Sequence, residues 1–586
     1  MHNPSKSTTG KHDETEVLTS RSRSRSVLDS FFGSVHRFFN RLTQLDRWNI
    51  SILSIALFMS LPVLVVASYL FQPFNENWTH LYENLLGDYV SNSLILMAGV
   101  SVGVLSMGII TAWFTSMCEF PLRRFFSWAL LLPLAFPAYI IAYTYTGMLD
   151  FAGPLQTFLR ETFAWSAGDY WFPEVRSIGG AIAMLSLVLY PYVYMLARAA
   201  FLEQSICVLE ASRTLGNSPL QSFYRVALPL ARPAIVTGLS LALMETLADY
   251  GTVQYFGIPT FTTGIFKTWF DVFDEGTAAQ LAAMLLFFVF ALLLLEKWSR
   301  KRAKFHHTSN KYSTIKRYPI TGWKSALVIF SCAMPLLLGF AIPAAQLLIW
   351  TFTTAEEVID GAFFTLVWNS VSLAAMAAVL AVSIALLLGY GKRLRKTKVI
   401  ASSVNIASMG YAVPGTVIAV GIMVPLAWFD NTLDAWMRET FDISTGLLLS
   451  GTLFALLFAY TVRFLAVSIQ AIDAGLGKIK PTMDDAGRSL GLTPFGVLKN
   501  IHLPIMKGTI LTALLLVFVD VLKELPATLI MRPFNFNTLA VRAHEMAADE
   551  RLADAGAPAL MIVLVGIIPV ILLSKAISHS RAGQHA

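Results

Sequence analysis

Apolar residues run along this chain in long unbroken blocks, and polar residues gather in the gaps between them. Blocks long enough to cross about 30 Å of hydrocarbon as helices lie near 49–71, 91–115, 125–147, 178–203, 231–257 and 277–296. Six more lie near 325–351, 369–391, 400–428, 445–470, 505–531 and 556–575. The blocks are continuous rather than alternating, which argues against the strands of a membrane barrel. Only a helix satisfies its backbone hydrogen bonds within one such segment. The pattern predicts an all-α polytopic membrane protein with about 12 transmembrane helices, six before the basic stretch around 297–323 and six after it.

Composition agrees with the pattern. Of 586 residues 55% are hydrophobic and only 14% charged, at a mean hydropathy of +0.60, more apolar than a soluble core needs. Charge then orients the spans. With the N-terminus inside, inside loops and tails hold about 35 of the 44 Lys and Arg, and outside loops about six. Arg198, Lys523 and Arg532 lie in or beside spans. This puts both termini and the run Lys392-Arg393-Leu394-Arg395-Lys396 in the cytoplasm, and acidic Glu356, Glu357 and Asp360 outside. The net charge of +7 is therefore topogenic, and no folded basic surface for nucleic acid is implied.

The serine-arginine alternation from Ser20 to Ser26 predicts a disordered tail near anionic lipid. The apolar block after it is too long for a signal peptide and lacks a small-residue cleavage site, so it reads as a retained first span. Cys118, Cys207 and Cys332 are widely spaced and suggest neither a disulfide framework nor a metal site.

A polar segment occurs twice. Glu210-Ala211-Ser212, Gly216 and Leu228-Pro229 recur 275 positions later as Asp485-Ala486-Gly487, Gly491 and Leu503-Pro504. Each Gly follows helical composition and supplies the left-handed residue that ends a helix. Two residues on, Ser218-Pro219 or Thr493-Pro494 supplies a hydroxyl N-cap and a Pro at the first helical position. Gln221 completes a capping box in the first copy, and Gly496 leaves the second without one. Each segment thus predicts a helix-turn-helix hook. Ala211-Ser212 and Ala486-Gly487 are expected to keep one helical face bare enough for another protein's side chains to approach the backbone.

The two segments resemble the coupling motif Glu-Ala-Ala-x3-Gly-x9-Ile-x-Leu-Pro of the permease subunits of binding-protein-dependent ABC importers. Ser212 and Gly487 replace the second Ala, Asp485 the Glu, and Val226 the Ile. The resemblance implies two homologous halves of the type I ABC importer permease fold. The domains would be a basic tail over 1–47, a first span and periplasmic loop over 48–90 and a first permease domain over 91–297. A linker over 298–323, a seventh span and loop over 324–364, a second permease domain over 365–575 and a tail over 576–586 would follow. It also implies a bacterial inner-membrane location, a cytoplasmic ABC ATPase dimer docked on the hooks and an external solute-binding protein. Fusion of two halves implies a pseudo-twofold axis along the membrane normal, with a path between them.

Polar groups inside spans are costly and mark functional candidates. Glu245 and Asp249 stand at i and i+4 in the span after the first hook, with Asp520 and Glu524 at the matching places, so each pair is expected to share one helical face. Two readings stay open, a structural network part-neutralised by Lys523 or a role along the substrate path, and direct metal binding by these residues is not expected. Pro133, Pro137, Pro191 and Pro414-Gly415 suggest kinks or unwound turns near a cavity, or accommodation of packing. Tyr139, Tyr143, Tyr145, Tyr190, Tyr192 and Tyr194 read as an aromatic outer region of the kind that marks membrane interfaces.

No Gly-x4-Gly-Lys-Ser/Thr sequence is present, nor a nucleophile motif or metal-ligand spacing. The chain is expected to be no enzyme and to hold no permanent cofactor, with ATP used by the partner ATPase. Among fused permeases it is most similar to the ferric-iron importers, through Lys523-Glu524-Leu525-Pro526-Ala527-Thr528-Leu529, Arg532-Pro533-Phe534-Asn535-Phe536-Asn537-Thr538-Leu539-Ala540 and Ala548-Asp549-Glu550-Arg551. That resemblance implies ferric iron as cargo. Thiamine, phosphonate and other small solutes remain alternatives within the class, and an ion-coupled secondary transporter is an alternative outside it.

Overall fold

The computed structural model describes residues 47–166, 168–203, 212, 214–216, 218–301, 317–394 and 397–579. Among them ten helices are long and apolar enough to cross a membrane, and the bent pair Arg123–Ala135 with Ala138–Phe163 counts as an eleventh. The last helix, Gly556–His579, is apolar over Gly556–Leu572. Beside these helices stand two strands of two residues each, Cys118–Glu119 and Tyr318–Pro319, paired in parallel. They fasten the chain entering the second half to the end of Leu86–Met117.

The repeat seen in the sequence is a repeat of helices. Leu86–Met117 corresponds to Gly361–Leu394, Ile178–Glu203 to Leu453–Gly477, and Leu228–Ala248 to Leu503–Leu522, each at an offset of 275. In each half the first two of these pack along one another. Small residues make the close approach possible: a Cβ on Gly99, Gly103 or Gly108 would overlap Ile182, Ser186 or Val193. In the second half the buried alanines Ala374, Ala377, Ala378, Ala381 and Ala385 line the corresponding helix.

The halves are clasped by exchange. The first helix, Arg47–Ser68, lies against Gly415–Phe441 of the second half, where Gly421 meets the backbone of Pro62. The seventh span, Trp323–Val358, lies against the first half, with Gly339 on Pro133 and Gly147 on Trp350. The buried core divides the same way. One cluster joins the middle of the first half to residues 328–363 and 539–570, and the other joins residues 52–89 and 247–289 to the middle of the second half.

Four predicted spans are not continuous. The block near 125–147 breaks at Phe136-Pro137 and turns by 91°. Its counterpart near 400–428 breaks after the short helix Lys398–Ala407 and restarts at Gly415. Pro137 and Pro414 adopt extended ψ of 141° and 144° just before the new helices, so each Pro starts a helix rather than kinking one. Near 231–257 the long helix ends at Ala248, and near 505–531 at Leu522, each followed by a short separate helix, Gly251–Tyr255 or Pro526–Met531. Pro191, by contrast, sits inside the unbroken helix Ile178–Glu203.

The aromatic reading also changes. Tyr139, Tyr143, Tyr190 and Tyr194 are buried in the helix packing rather than spread at an interface, with Tyr190 and Tyr194 donating to the carbonyls of Leu130 and Ser127.

Candidate functional site

Each hook turns where the sequence places the turn. Gly216 and Gly491 have φ of 81° and 84°, the left-handed region that excludes most side chains. The restart follows at Ser218 and Thr493, whose hydroxyls accept from the Gln221 and Gly496 amides. The full capping box forms in the first hook alone, through Gln221 Oε1 accepting from the Ser218 amide at 2.9 Å. Glu210 and Ala211 lie outside the described residues.

The Leu-Pro ending has a structural meaning that sequence reasoning missed. Leu228-Pro229 and Leu503-Pro504 each follow one π turn, Phe223–Ala227 and Leu498–His502, in which the Leu amide donates five residues back. Pro lacks the N–H that an α-helix would use there, and the wider turn absorbs the gap without ending the helix. A third π turn, Leu337–Ala341, likewise ends two residues before a Pro, Pro343. The second arm of each hook is therefore one piece with the long helix beyond it. Leu228 and Leu503 are half-buried, and Pro229 and Pro504 exposed.

Two of the small residues, Ser212 and Gly487, turn inward rather than forming a bare outer face. Ser212 is buried with its hydroxyl 2.9 Å from that of Ser222, and Gly487 is buried against Val497 and Ile501. Their size lets the two arms of a hook close on each other. What each hook presents outward is apolar instead. Leu215 and Leu490 are exposed at matching places, as are Leu220 and Phe495, while Asp485 and Ala486 lie exposed beside them.

The second hook is also fastened by charge. Asp484, next to the motif acid, accepts from Arg393 Nε at 2.7 Å and pairs with His502 Nε2 at 2.7 Å. Partial burial pushes its carboxyl up, but the hydrogen bonds from Arg393 and His502 outweigh this and hold it below the usual carboxylate range. Arg393 also donates to the Ile479 carbonyl at 2.9 Å, and Tyr390 to that of Pro494 at 2.6 Å. The hook is thus tied to the end of Gly361–Leu394.

At the other end of Leu228–Ala248 and Leu503–Leu522, the broken helices surround a cavity of about 110 Å³ between the halves, lined in part by Glu245, Asp249, Asp520 and Glu524. The pairs do not share a helical face, because each helix ends between its two carboxylates. Asp249 is extended and accepts from the amides of Thr252 and Val253, each at 3.1 Å, capping the next short helix. Glu524 does the same for Ala527 and Thr528, at 3.0 and 3.1 Å.

Two cations that line the cavity occupy the second half's carboxylates. Lys523 Nζ lies 2.9 Å from Asp520, and Arg463 Nη1 lies 3.0 Å from Glu524. Arg463 was not singled out by the sequence, since one Arg within an apolar block carries no partner signal. Its pair with Glu524 needs Gly415, where a Cβ would overlap both side chains. Among the described residues Glu245 makes no hydrogen bond or ion pair. At the end of the molecule far from the hooks, Arg176 bridges the halves by two bonds of 2.9 Å to Glu550, which hold the Glu550 carboxyl below its usual value.

Residues 105–304 match the family described as the inner membrane component of binding-protein-dependent transport systems. The chain is 26% identical over 501 residues to the Fe(3+)-transport system permease protein FbpB 2 of Haemophilus influenzae, covering 84% of this chain and 91% of that protein. It is 24% identical over 463 residues to the ferric transport system permease protein FbpB of Actinobacillus pleuropneumoniae, covering 75% of this chain and 64% of that protein. A shorter relative, the molybdenum transport system permease protein ModB of Escherichia coli, is 26% identical over 209 residues, 34% of this chain and 88% of its own.

Proposed function

We propose that this chain, which belongs to the binding-protein-dependent transport permeases, carries ferric iron delivered by an external solute-binding protein, driven by an ATPase pair docked on its two hooks. The observation that carries the reading is the matched pair of hooks, each continuous through a π turn with a helix that ends at the central cavity. Displacement of a hook would act directly on the cavity wall. An ion-coupled transporter has no use for such paired levers.

In this reading the hooks face the cytoplasm, which the distribution of Lys and Arg supports. The exposed apolar residues Leu215, Leu220, Leu490 and Phe495 meet the ATPase subunits, one per hook. ATP-driven closure of the ATPase pair draws the hooks together and opens the cavity outward. Hydrolysis resets it. The motif residues Ser212, Gly216, Leu228 and Pro229, with Asp485, Ala486, Gly487, Gly491, Leu503 and Pro504, shape these levers, and Glu210 and Ala211 are assigned to the same coupling segment by the motif alone. ATP is consumed by the partner, and this chain keeps no resident cofactor.

Ferric iron as cargo is supported by the named activity of the two long relatives and by the cavity, where four carboxylates face two cations. An excess of carboxylate suits a hard cation and opposes an oxyanion. The test reconstitutes permease, ATPase and binding protein in vesicles. ATP-dependent uptake of iron that needs all three components is expected. Uptake of thiamine or phosphonate without iron would overturn the cargo and leave the permease reading standing.

A further inference from the structure

We propose that Glu245 and Tyr139 form a transient contact for a hard multivalent cation inside the central cavity, while Asp249, Asp520 and Glu524 belong to the scaffold. The proposal rests on the reading of the chain as an iron permease and names the groups that meet the ion.

The four carboxylates divide by what already occupies them. Asp249 and Glu524 cap short helices, and Asp520 and Glu524 face Lys523 and Arg463. Glu245 corresponds to Asp520, but Ala248 stands where the second half has Lys523, and Val188 where it has Arg463. The first half therefore supplies no cation of its own at these places. Glu245 remains without a hydrogen bond or ion pair among the described residues, at the wall of the cavity.

A second, independent group lines the same space. Tyr139 is 4% exposed and lines the cavity, yet among the described residues its hydroxyl has no hydrogen-bond partner. Buried hydroxyls are normally satisfied, and one left open costs stability unless something else uses it. Its place is enforced, because Gly251 packs so tightly on Tyr139 that a Cβ there would overlap the Tyr139 Cβ. Carboxylate and phenol oxygens are hard donors, suited to a hard ion. Two of them make a weak site, and the cavity has room for several waters to complete the shell. Weak binding is what passage requires.

The test uses the complete transporter in vesicles, with initial rates of radiolabelled ferric iron uptake and of ATP hydrolysis measured together. Glu245→Gln should lower iron uptake by about tenfold while hydrolysis stimulated by the binding protein stays within about twofold, and Glu245→Asp should recover most of the uptake. Tyr139→Phe guards against misfolding, since it removes a hydroxyl that bonds nothing. It should lower uptake about threefold at constant hydrolysis. Unchanged uptake in Glu245→Gln and Tyr139→Phe overturns the contact, and so does a parallel loss of uptake and hydrolysis in both. Wild-type vesicles that import another solute but no iron remove the cargo reading and this proposal together. Iron import by the wild type with both variants unaffected removes this proposal alone.

Discussion

The two halves share a backbone plan and differ in how it is held. In the second half charged groups fasten both ends of the lever: Arg393, with His502 in hydrogen-bond contact beside it, on Asp484 at the hook, and Arg463 on Glu524 and Lys523 on Asp520 at the cavity. The matching places of the first half hold Cys118 and Ala227, then Val188 and Ala248. Geometry shared at this level, including a π turn at the same offset, does not need charge. Among the described residues this charged network stands in the second half. At the cavity the first half holds Glu245 without a hydrogen bond or ion pair among the described residues, while Asp520 and Glu524 of the second half are paired.

The largest effect is expected from removing one charge of the buried pair. Arg463→Ala strands Glu524, whose side chain is 2% exposed, and should cost about 3–5 kcal/mol of stability. A thermal or denaturant midpoint in detergent checks it, and no such change is expected from Val188→Ala beyond its lost packing.

Next comes the hook. Asp484→Asn should loosen the second hook by about 1–3 kcal/mol, read as faster amide exchange over Pro481–His502. The pH dependence has a definite sign. Because the folded carboxyl lies below its unfolded value of about 3.9, its stabilisation is complete above that value and is lost as pH falls through the folded one. Protection of this hook should therefore be insensitive to Asp484 from pH 8 to about 5 and fall only below about 4.

A smaller change runs in the opposite direction. Gly496→Gln would give the second hook the capping box that Gln221 gives the first, and its Cβ would meet only ordinary contacts. A gain of about 0.5–1 kcal/mol is expected from the added cap and helix propensity, measured by the same exchange experiment. The smallest effect belongs to the bridge between halves. Arg176 and Glu550 are 34% and 62% exposed, so Arg176→Ala should cost at most about 1 kcal/mol and less at high salt.

Much of this was legible in the sequence because it rests on local chemistry. Helical blocks follow from continuous hydropathy, and the turns at Gly216 and Gly491 from backbone sterics. The caps at Ser218 and Thr493 follow from spacing. The breaks at Pro137 and Pro414-Gly415 were signalled by the prolines as kinks or unwound turns, but the size of the 91° bend at Phe136-Pro137 was not, since the residues on both sides are as apolar as a span and hydropathy carries no direction. The inward packing of Ser212 and Gly487 depends on how two arms close, which a bare face in sequence does not reveal. Asp484 was passed over for its neighbour Asp485, because only the fold brings Arg393 and His502 to it. For the same reason Arg463 and the open hydroxyl of Tyr139 were invisible, and the helix ends between Glu245 and Asp249 moved the carboxylates off one face.

The central claim is that this chain converts ATP use at its hooks into iron import. The direct measurement is radiolabelled iron uptake in a strain lacking the chain, complemented either by the wild type or by the double variant Gly216→Val, Gly491→Val at equal membrane levels. A β-branched residue forced into the left-handed region costs roughly 1–3 kcal/mol per turn and distorts both hooks while leaving the spans intact. Restored uptake with the wild type and none with the double variant is the expected result. Equal uptake from both, or no dependence of iron uptake on the chain at all, would contradict it.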